Sequence, residues 1–162
     1  MSSFSRRSLL TSLLALGACG FTPVYGPGGA ALGLRGAVRV AAPEDRDAYE
    51  LVKRLEERLG QPAGGRYALD YRIVSSKKDA GVTAASEITR TQLFGTVTFT
   101  LTDTTTGAIA LSGSVTSFTS FSNQGSTVST ASVERDAYRR LMVTLADLLT
   151  TRLIATAPDW LA

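Results

Sequence analysis

The sequence predicts an α+β fold with the element order β-α-β-β-β-α, in which two helices pack on one face of a four-stranded mixed sheet. Two stretches place apolar residues at spacings of three and four, which is typical of amphipathic helices. Four other stretches alternate apolar and polar residues, which is typical of half-buried strands. A strand, a helix and a strand come first, and this order favours a right-handed crossover between parallel strands.

The first half of the chain supplies one strand, one helix and a second strand. Residues 34–41 alternate and predict the first strand, which Pro43 ends. Acidic residues crowd the following turn and Gly60 lies where a C-terminal glycine belongs, so a helix is predicted between them. The second strand is predicted over residues 66–75, followed by a polar connection over residues 79–87. The predicted buried stripe of the helix is Ala48, Leu51, Val52, Leu55 and Leu59.

The second half begins with a long hairpin. Residues 88–103 and 108–121 alternate and are joined by an Asp-Thr-Thr-Thr-Gly turn. We expect Phe118 and Phe121 to depart from this alternation, so a bulge is predicted near residues 116–117. Threonine at every second position suits an exposed sheet face. The residues predicted to face inward are Val97, Phe99, Leu101, Ile109, Leu111 and Val115, and those predicted to face outward are Thr96, Thr98, Thr100 and Thr102.

The last predicted element is the longest helix, over residues 132–155. Glu134 and Asp136 lie in its first turns, where the helix dipole favours carboxylates, and it is predicted to end before Pro158. Its predicted buried stripe is Tyr138, Leu141, Met142, Leu145, Leu148, Leu149 and Leu153.

Composition argues against several classes of function. The chain has no histidine, which removes the commonest general base, the commonest metal ligand and every Ser-His or Cys-His pair. Cys19 is the only cysteine, so no intramolecular disulfide can form. Arg6 and Arg7 are two of the 17 basic residues, so the chain from Cys19 onward carries 15 basic against 14 acidic residues. This balance gives no case for nucleic-acid binding.

The N-terminus has the layout of a secretory signal that ends at Cys19. The basic pair at Arg6 and Arg7 precedes an apolar stretch and the small residues Gly17 and Ala18. That stretch is shorter than the ~20 residues that a spanning helix needs. The sequence Leu-Gly-Ala-Cys resembles the lipobox of bacterial lipoproteins, whose cysteine receives a diacylglyceryl group and becomes the first residue after cleavage.

These features divide the chain into four parts. We expect a signal peptide at residues 1–18, a lipidated tether at 19–33, a single domain at 34–157 and a C-terminal tail at 158–162. No cofactor is expected other than the covalent lipid on Cys19. A reading of residues 1–18 as a buried helix stays open, and so does the choice between general and twin-arginine export.

The start of the mature chain resembles that of a known lipoprotein family. The sequence Cys-Gly-Phe-Thr-Pro-Val-Tyr-Gly at residues 19–26, the lipobox, the element order and the amphipathic start of the last helix together resemble the LPS-assembly lipoprotein family LptE. The resemblance implies a non-enzymatic outer-membrane lipoprotein on the periplasmic side. Such a protein plugs the β-barrel LptD and helps to deliver lipopolysaccharide to the cell surface. Gly20 fits that location, because aspartate at this position is linked to inner-membrane retention.

The resemblance also implies that basic residues near the sheet bind lipopolysaccharide. No motif identifies them, and local basicity makes Arg72, Lys77, Lys78 and Arg90 the candidates, because cations there can bind phosphate groups. The threonine-rich face suits the wet interior of a barrel, and it suits a solvated sheet equally well.

Two other functions stay open at this point. One is an auxiliary lipoprotein of an envelope ABC-type lipid transport system, which would use a similar small domain on a lipid anchor. The other is a periplasmic hydrolase, which would need a carboxylate pair or an activated serine. The scattered residues Asp70, Asp79, Glu87 and Asp103 show no spacing that argues for such a pair.

Overall fold

The structure is a computed structural model that describes residues 26, 29–62, 64–82, 88–122 and 127–161. Cys19, the signal and the start of the tether lie outside these residues, and so does Glu87. The elements are α1 (Ala30–Leu34), β1 (Val38–Val40), α2 (Arg46–Leu59), β2 (Tyr67–Val82), β3 (Ile88–Asp103), β4 (Ile109–Ser122) and α3 (Thr127–Trp160).

The four strands form one mixed sheet in the order β1-β2-β3-β4. β1 runs parallel to β2, with Val38 opposite Tyr67, whereas β2, β3 and β4 are antiparallel. The helices pack together on one side of the sheet, which we call the helix side. The predicted α+β fold class is therefore confirmed, with one short additional helix, α1.

Helix α2 follows its predicted pattern closely. Asp45 caps its N-terminus by accepting a 2.7 Å hydrogen bond from the backbone N–H of Ala48, and Gly60 ends it with a φ of 80°. All five residues of the predicted stripe are buried. The helix packs on α3, where the Arg54 guanidinium donates to both carboxylate oxygens of Asp147 at 3.0 and 3.2 Å.

Helix α3 covers β3 and β4 and supplies much of the core. Its residues Leu141 and Leu145 press onto Gly95 of β3, where a Cβ atom would lie only 2.9 Å from either side chain. The helix is long and apolar enough to cross a membrane by length and composition. Its apolar stripe is buried against the sheet, so in this structure it is a core helix.

The first predicted strand is too long at its N-terminal end. Leu34 is the last residue of α1 and is buried there, and residues 35–37 form a turn. Gly36 has a φ of 74° and its N–H donates to the carbonyl of Leu59, so the chain changes direction before it can pair with β2. The last residues of the predicted tether, from Ala30 onward, belong to α1, in which Ala31 is buried.

The second strand is longer than predicted. β2 continues through residues 76–82, which begin with the polar run Ser-Lys-Lys-Asp and include the start of the predicted connection. It does so because β3 pairs with it along this whole length, from Tyr67 opposite Asp103 to Val82 opposite Ile88, with register shifts beyond Asp79. Backbone pairing overrides the local polar sequence here.

The predicted bulge lies in a different place. The β3–β4 ladder is regular at residues 116–117, and its shift occurs at Ala110, between the pairs Leu101–Leu111 and Thr102–Ile109. This shift places Ile109 opposite Thr102, away from the helices, and 66% exposed rather than inward. Phe121 continues the helix-side alternation and is buried, so no second bulge is needed.

Helix α3 also differs from prediction at both ends. It starts at Thr127 and continues through Pro158 to Trp160, so that most of the predicted tail is helical. Proline is tolerated there because it removes only one hydrogen bond in the last turn. Trp160 is held in place by its indole N–H, which donates to Oγ1 of Thr156 at 3.1 Å. The prediction that Leu148 belongs to the buried stripe of α3 is wrong, because its side chain is 41% exposed.

Candidate functional site

One side of the sheet is not covered by the helices in the segments described, and we call it the open face. Its rows run across the strands and are fixed by the register, for example Val74–Thr96–Thr116 and Arg72–Thr98–Ser114. The residues of the open face are Arg39, Ala68, Asp70, Arg72, Val74, Ser76, Lys78, Arg90, Gln92, Phe94, Thr96, Thr98, Thr100, Thr102, Ile109, Ser112, Ser114, Thr116, Phe118, Ser120 and Ser122.

Hydroxyl groups make up most of the open face on β3 and β4. The four predicted threonines of β3 all lie here, and serine or threonine lies beside three of them on β4. Oγ1 of Thr96 and Oγ1 of Thr116 are 3.1 Å apart, within hydrogen-bond distance. The face therefore presents many groups that can both donate and accept hydrogen bonds.

Three of the four predicted cations lie together on the open face. Arg72, Lys78 and Arg90 are all exposed there. Lys78 lies opposite Gln92, so it is one row, or about 7 Å, from the row of Arg90, whereas Arg72 is about 20 Å farther along β2. Lys78 and Arg90 therefore form a close pair at one end of the face.

The fourth predicted cation, Lys77, lies on the other side of the sheet. Its ammonium group forms an ion pair with Glu134 of α3 and lies 5.8 Å from the ring centroid of Tyr138. The hydrogen bond to Glu134 raises the pKa of Lys77 above its ordinary value. Strand alternation separates Lys77 from Lys78, so the structure does not bring these two cations together.

Arg39 is a further cation that the sequence reasoning missed. It is exposed on β1 and lies opposite Ala68, which places it on the open face. Together with Arg72, Lys78 and Arg90 it gives this face four cations among the described strand residues, against one carboxylate there, Asp70. The alternation of Arg39 with buried Val38 was the signal that could have found it.

The surroundings of Arg72 weaken it as an anion site. A groove beside it is lined by Asp70 and by Glu44 and Asp45 at the start of α2. Burial and the carboxylates of Asp45 and Glu44, just before α2, raise the pKa of the Tyr71 hydroxyl in the same groove. An anionic ligand is repelled here more than at Lys78 and Arg90, which form no ion pair within the described segments.

An aromatic pair interrupts the hydroxyl groups. Phe94 and Phe118 lie opposite each other on β3 and β4, with ring centroids 5.9 Å apart. Phe118 is 64% exposed, and Val74 on the neighbouring row is 58% exposed. The sequence reasoning noted that Phe118 breaks the inward pattern but did not assign it to this face.

Helix α1, near the start of the described residues, lies at the end of the sheet opposite Lys78 and Arg90. Gly33 of α1 lies against Leu161, and the Tyr67 hydroxyl donates to the carbonyl of Trp160 at 2.9 Å. Lys78 is eleven residues beyond Tyr67 along β2, or about 37 Å. The end of the domain that leads back to Cys19 is therefore far from the cation pair.

A family model for lipopolysaccharide assembly, LptE, matches residues 36–153, which is most of the chain. The chain belongs to the LptE family. The match begins just after α1 and ends in the last third of α3, so it includes all four strands and helix α2. The resemblance expected from the sequence is confirmed, and with it a role as a lipoprotein of lipopolysaccharide assembly in the outer-membrane envelope.

Solved structures of other lipoproteins share this LptE-family fold. A lipoprotein from Caulobacter crescentus is 21% identical with a TM-score of 0.67, over 82% of this chain and 98% of that one. Rare lipoprotein B from Shewanella oneidensis is 9% identical with a TM-score of 0.58, over 76% and 96%. A minor lipoprotein from Acinetobacter baumannii is 20% identical with a TM-score of 0.53, over 74% and 89%. No curated protein sequence matches the chain.

Among the described residues of this LptE-family chain, the carboxylates of Asp70, Asp79 and Asp103 do not lie together. Asp103 is held by Arg66, with its Oδ2 atom 2.9 Å from Nη2, and by the backbone N–H of Thr105. These donors lower the pKa of the Asp103 carboxyl. Asp70 lies on the open face and Asp79 on the helix side. Within the described residues no group of three His, Cys, Asp or Glu side chains could hold a metal ion.

Proposed function

We propose that this chain is the lipid-anchored partner of an LptD-type barrel, that it lies in the barrel lumen, and that it binds lipopolysaccharide through Lys78 and Arg90. Cys19 carries the lipid in this proposal and holds the chain in the periplasmic leaflet of the outer membrane. The protein acts by binding and has no catalytic role. The observation that carries the proposal is the open face, which is a long polar surface on a member of this family.

The hydroxyl groups of the open face support a place inside a barrel. The interior of an outer-membrane barrel is polar, and it offers donors and acceptors to any surface that enters it. Serine and threonine can match either kind of group without the cost of burying a charge. Hydroxyl side chains alternate from Thr96 to Thr102 on β3 and, apart from Phe118, from Ser112 to Ser122 on β4, which gives such a surface about 34 Å of length.

The cation pair supports contact with the phosphorylated part of lipopolysaccharide. Lys78 and Arg90 are exposed on neighbouring rows, so one ligand with two phosphate groups can engage both through charge-assisted hydrogen bonds. Arg39 and Arg72 add positive charge elsewhere on the same face. Lys77 is left out of the proposed set because Glu134 already binds it on the helix side.

The position of α1 relates the lipid anchor to this site. Gly29 is only ten positions beyond Cys19, and a chain of that length spans at most about 36 Å. The end of the sheet near Tyr67 therefore stays close to the membrane surface. Lys78 and Arg90 lie at the far end of the domain, where they can meet a ligand away from the anchoring leaflet.

Affinity purification from outer membranes tests the partner. A tagged full chain should recover a large, heat-modifiable barrel protein of the LptD kind as its dominant partner. A photo-crosslinking residue at Thr98 on the open face should then link to that barrel. Recovery of a permease or substrate-binding subunit instead would support the ABC-type alternative, and a Thr98 probe without a barrel adduct would contradict the lumen placement.

Charge reversal tests the ligand residues. The double variant Lys78→Glu with Arg90→Glu should weaken lipopolysaccharide binding about tenfold or more, because two charge-assisted contacts become repulsive. The matched control is Arg46→Glu with Lys53→Glu, which makes the same change of net charge on exposed positions of α2. Equal weakening in both variants would show that only net charge matters and would overturn the assignment of the site.

A further inference from the structure

Beyond Leu69, the edge of β2 is unpaired in the described part of the chain. β1 pairs with residues 67–69, and the backbone N–H of Ala41 still donates to the carbonyl of Leu69 at 2.9 Å. The chain then leaves the sheet and leads into α2. Because odd-numbered residues of β2 bond to the β1 side, the same alternation directs the N–H and C=O groups of Tyr71 and Ile73 to the free edge. These four backbone groups can bond to one more strand.

A groove lies along this free edge, in the space ahead of β1. Its volume is about 540 Å³, which is in the range of clefts that hold ligands. Consecutive strand residues belong to opposite faces of a sheet, so a groove that is lined by all of residues 70–73 lies beside the backbone edge itself. Four residues of an extended chain span about 13 Å, which matches this stretch of β2. The residues on the other side of the groove are Ala41, Ala42, Glu44, Asp45 and Ala48.

The floor of the groove is apolar. Tyr71 and Ile73 occupy the helix-side positions that follow Tyr67 and Leu69 along β2. They are only half-buried, whereas Tyr67 and Leu69 are each 1% exposed. Apolar side chains therefore continue along β2 beyond the part that β1 covers. An added strand with an apolar residue at every second position would cover them.

The rim of the groove is acidic. Glu44, Asp45 and Asp70 supply three carboxylates, whereas Arg72 is the one cation among the described residues that line it. Burial, Asp45 and Glu44 raise the pKa of the Tyr71 hydroxyl, in that order, so the groove disfavours a negative charge. A basic side chain is attracted to this rim and an acidic one is repelled. The charge of the rim thus selects among extended segments that could pair with the edge.

We propose that the groove along β2 binds an extended segment of another polypeptide, in which apolar residues alternate with lysine or arginine. The segment adds one strand to the sheet by bonding to the outward N–H and C=O groups of Tyr71 and Ile73. Its apolar side chains pack on those two residues, and its cations lie within reach of the carboxylates at the rim. The interaction needs only one copy of this chain and leaves Lys78 and Arg90 accessible. It goes beyond the proposed function and does not depend on it.

Peptide titration against the full chain in detergent tests the charge preference. The labelled peptide Ac-Val-Lys-Val-Lys-Val-NH2 should bind saturably with a Kd below about 1 mM. The peptide Ac-Val-Glu-Val-Glu-Val-NH2 should bind at least about tenfold more weakly, because the rim repels it. Glu44→Lys with Asp70→Lys should weaken binding of the basic peptide by about tenfold, because the rim becomes cationic.

The matched control for this charge reversal is Asp79→Lys with Asp159→Lys. It makes the same change of net charge at exposed positions outside the groove, and it should change the Kd by less than about twofold because salt screens distant charges. Three results would overturn the proposal: no saturable binding of the basic peptide, equal binding of the two peptides, or equal weakening by the two double variants.

Amide hydrogen exchange, followed by NMR of the full chain in detergent micelles, tests the added strand itself. Saturation with the basic peptide should slow exchange at the N–H groups of Tyr71 and Ile73 by about tenfold or more, because they become hydrogen-bonded. The N–H of Lys77 is the control, because it lies on the same edge beyond the groove and should keep its rate. Peptide binding without slower exchange at Tyr71 and Ile73 would overturn the proposal. None of these results bears on binding to a barrel or to lipopolysaccharide.

Discussion

Lys77 of β2 and Glu134 of α3 form an ion pair on the helix side of the sheet, across 57 residues of sequence. Tyr138, one helical turn farther along α3, lies beside the same ammonium group. The contact joins the early part of α3 to the C-terminal half of β2. The two adjacent lysines therefore have different surroundings, because Lys77 binds Glu134 on the helix side whereas Lys78 lies on the open face.

The first prediction compares these two lysines. Lys77→Ala should lower the free energy of unfolding by about 0.5 kcal/mol, as expected for a partly exposed ion pair, and leave lipopolysaccharide affinity unchanged. Lys78→Ala should leave stability unchanged and weaken lipopolysaccharide binding several-fold. Chemical denaturation and titration with purified lipopolysaccharide measure the two effects. Equal loss of affinity in both variants would contradict the division of roles.

The second prediction concerns the close approach of α3 to β3. Gly95→Ala should destabilise the fold by about 1–3 kcal/mol, because the new Cβ would lie 2.9 Å from the buried side chains of Leu141 and Leu145. Gly113→Ala is the matched control on β4, where the Cβ would meet only the exposed guanidinium of Arg152 at 3.3 Å. It should change stability by less than about 0.5 kcal/mol. Urea denaturation midpoints measure both changes, and similar midpoints would show that the core can absorb the extra carbon.

The third prediction concerns acid stability. The backbone N–H of Thr105 and the guanidinium of Arg66 hold the pKa of Asp103 below its usual range in the folded state. Since the folded-state pKa is lowered, this carboxylate stabilises the fold at pH values above the unfolded-state pKa, and the stabilisation is lost as pH falls through the folded-state pKa. Melting temperatures between pH 6 and pH 2 should fall less steeply for Asp103→Asn than for the unmodified chain. Parallel curves for the two proteins would contradict the assignment.

The sequence predicted the parts of the fold that depend on residues close together in the chain, and it did not predict the parts that depend on contacts between distant residues. The buried stripe of α2 and the bounds of β3 were predicted correctly, because local periodicity determines them. The ends of α2 are determined by a capping aspartate and a glycine. The end of β2 was not, because residues 76–79 are polar and the stretch to residue 82 becomes a strand only through pairing with β3. The C-terminal end of α3 depends in the same way on a contact with Tyr67, 93 residues away.

The candidate site was predictable in composition but not in arrangement. Arg72, Lys78 and Arg90 lie on one face, with only Lys78 and Arg90 close together, and a strand ending at Ser75 gave no reason to separate Lys77 from Lys78. Once β2 is known to continue, alternation alone separates them. Phe118 lies on the open face because the ladder is regular at residues 116–117, and that regularity is visible only in the pairing of β4 with β3.

The fourth prediction concerns the end of α3, which the sequence suggested was a tail. The Trp160 ring meets Tyr67 edge to face at 5.0 Å, and the Tyr67 hydroxyl donates to the Trp160 carbonyl. Trp160→Ala should therefore lower the free energy of unfolding by about 2 kcal/mol. Asp159→Ala, at the exposed neighbouring position, should have almost no effect. Thermal and urea unfolding measure both variants. If Trp160→Ala is as stable as the unmodified chain, the end of α3 contributes little to stability, as expected of a tail, and the prediction is wrong.

The fifth prediction separates lipid attachment from membrane destination. Cys19→Ser should abolish the mass increase of a diacylglyceryl group on the mature N-terminus, because a hydroxyl cannot replace the thiol in that linkage. Gly20→Asp should keep the lipid but move the protein to inner-membrane fractions. The two variants act at neighbouring residues, so a general effect on export would alter both in the same way. Mass spectrometry of the N-terminal peptide and density-gradient separation of the membranes measure the outcomes. Since two acyl chains hold a protein durably whereas one holds it only marginally, an unmodified N-terminus on the membrane-bound protein would require another anchor and would contradict lipidation at Cys19.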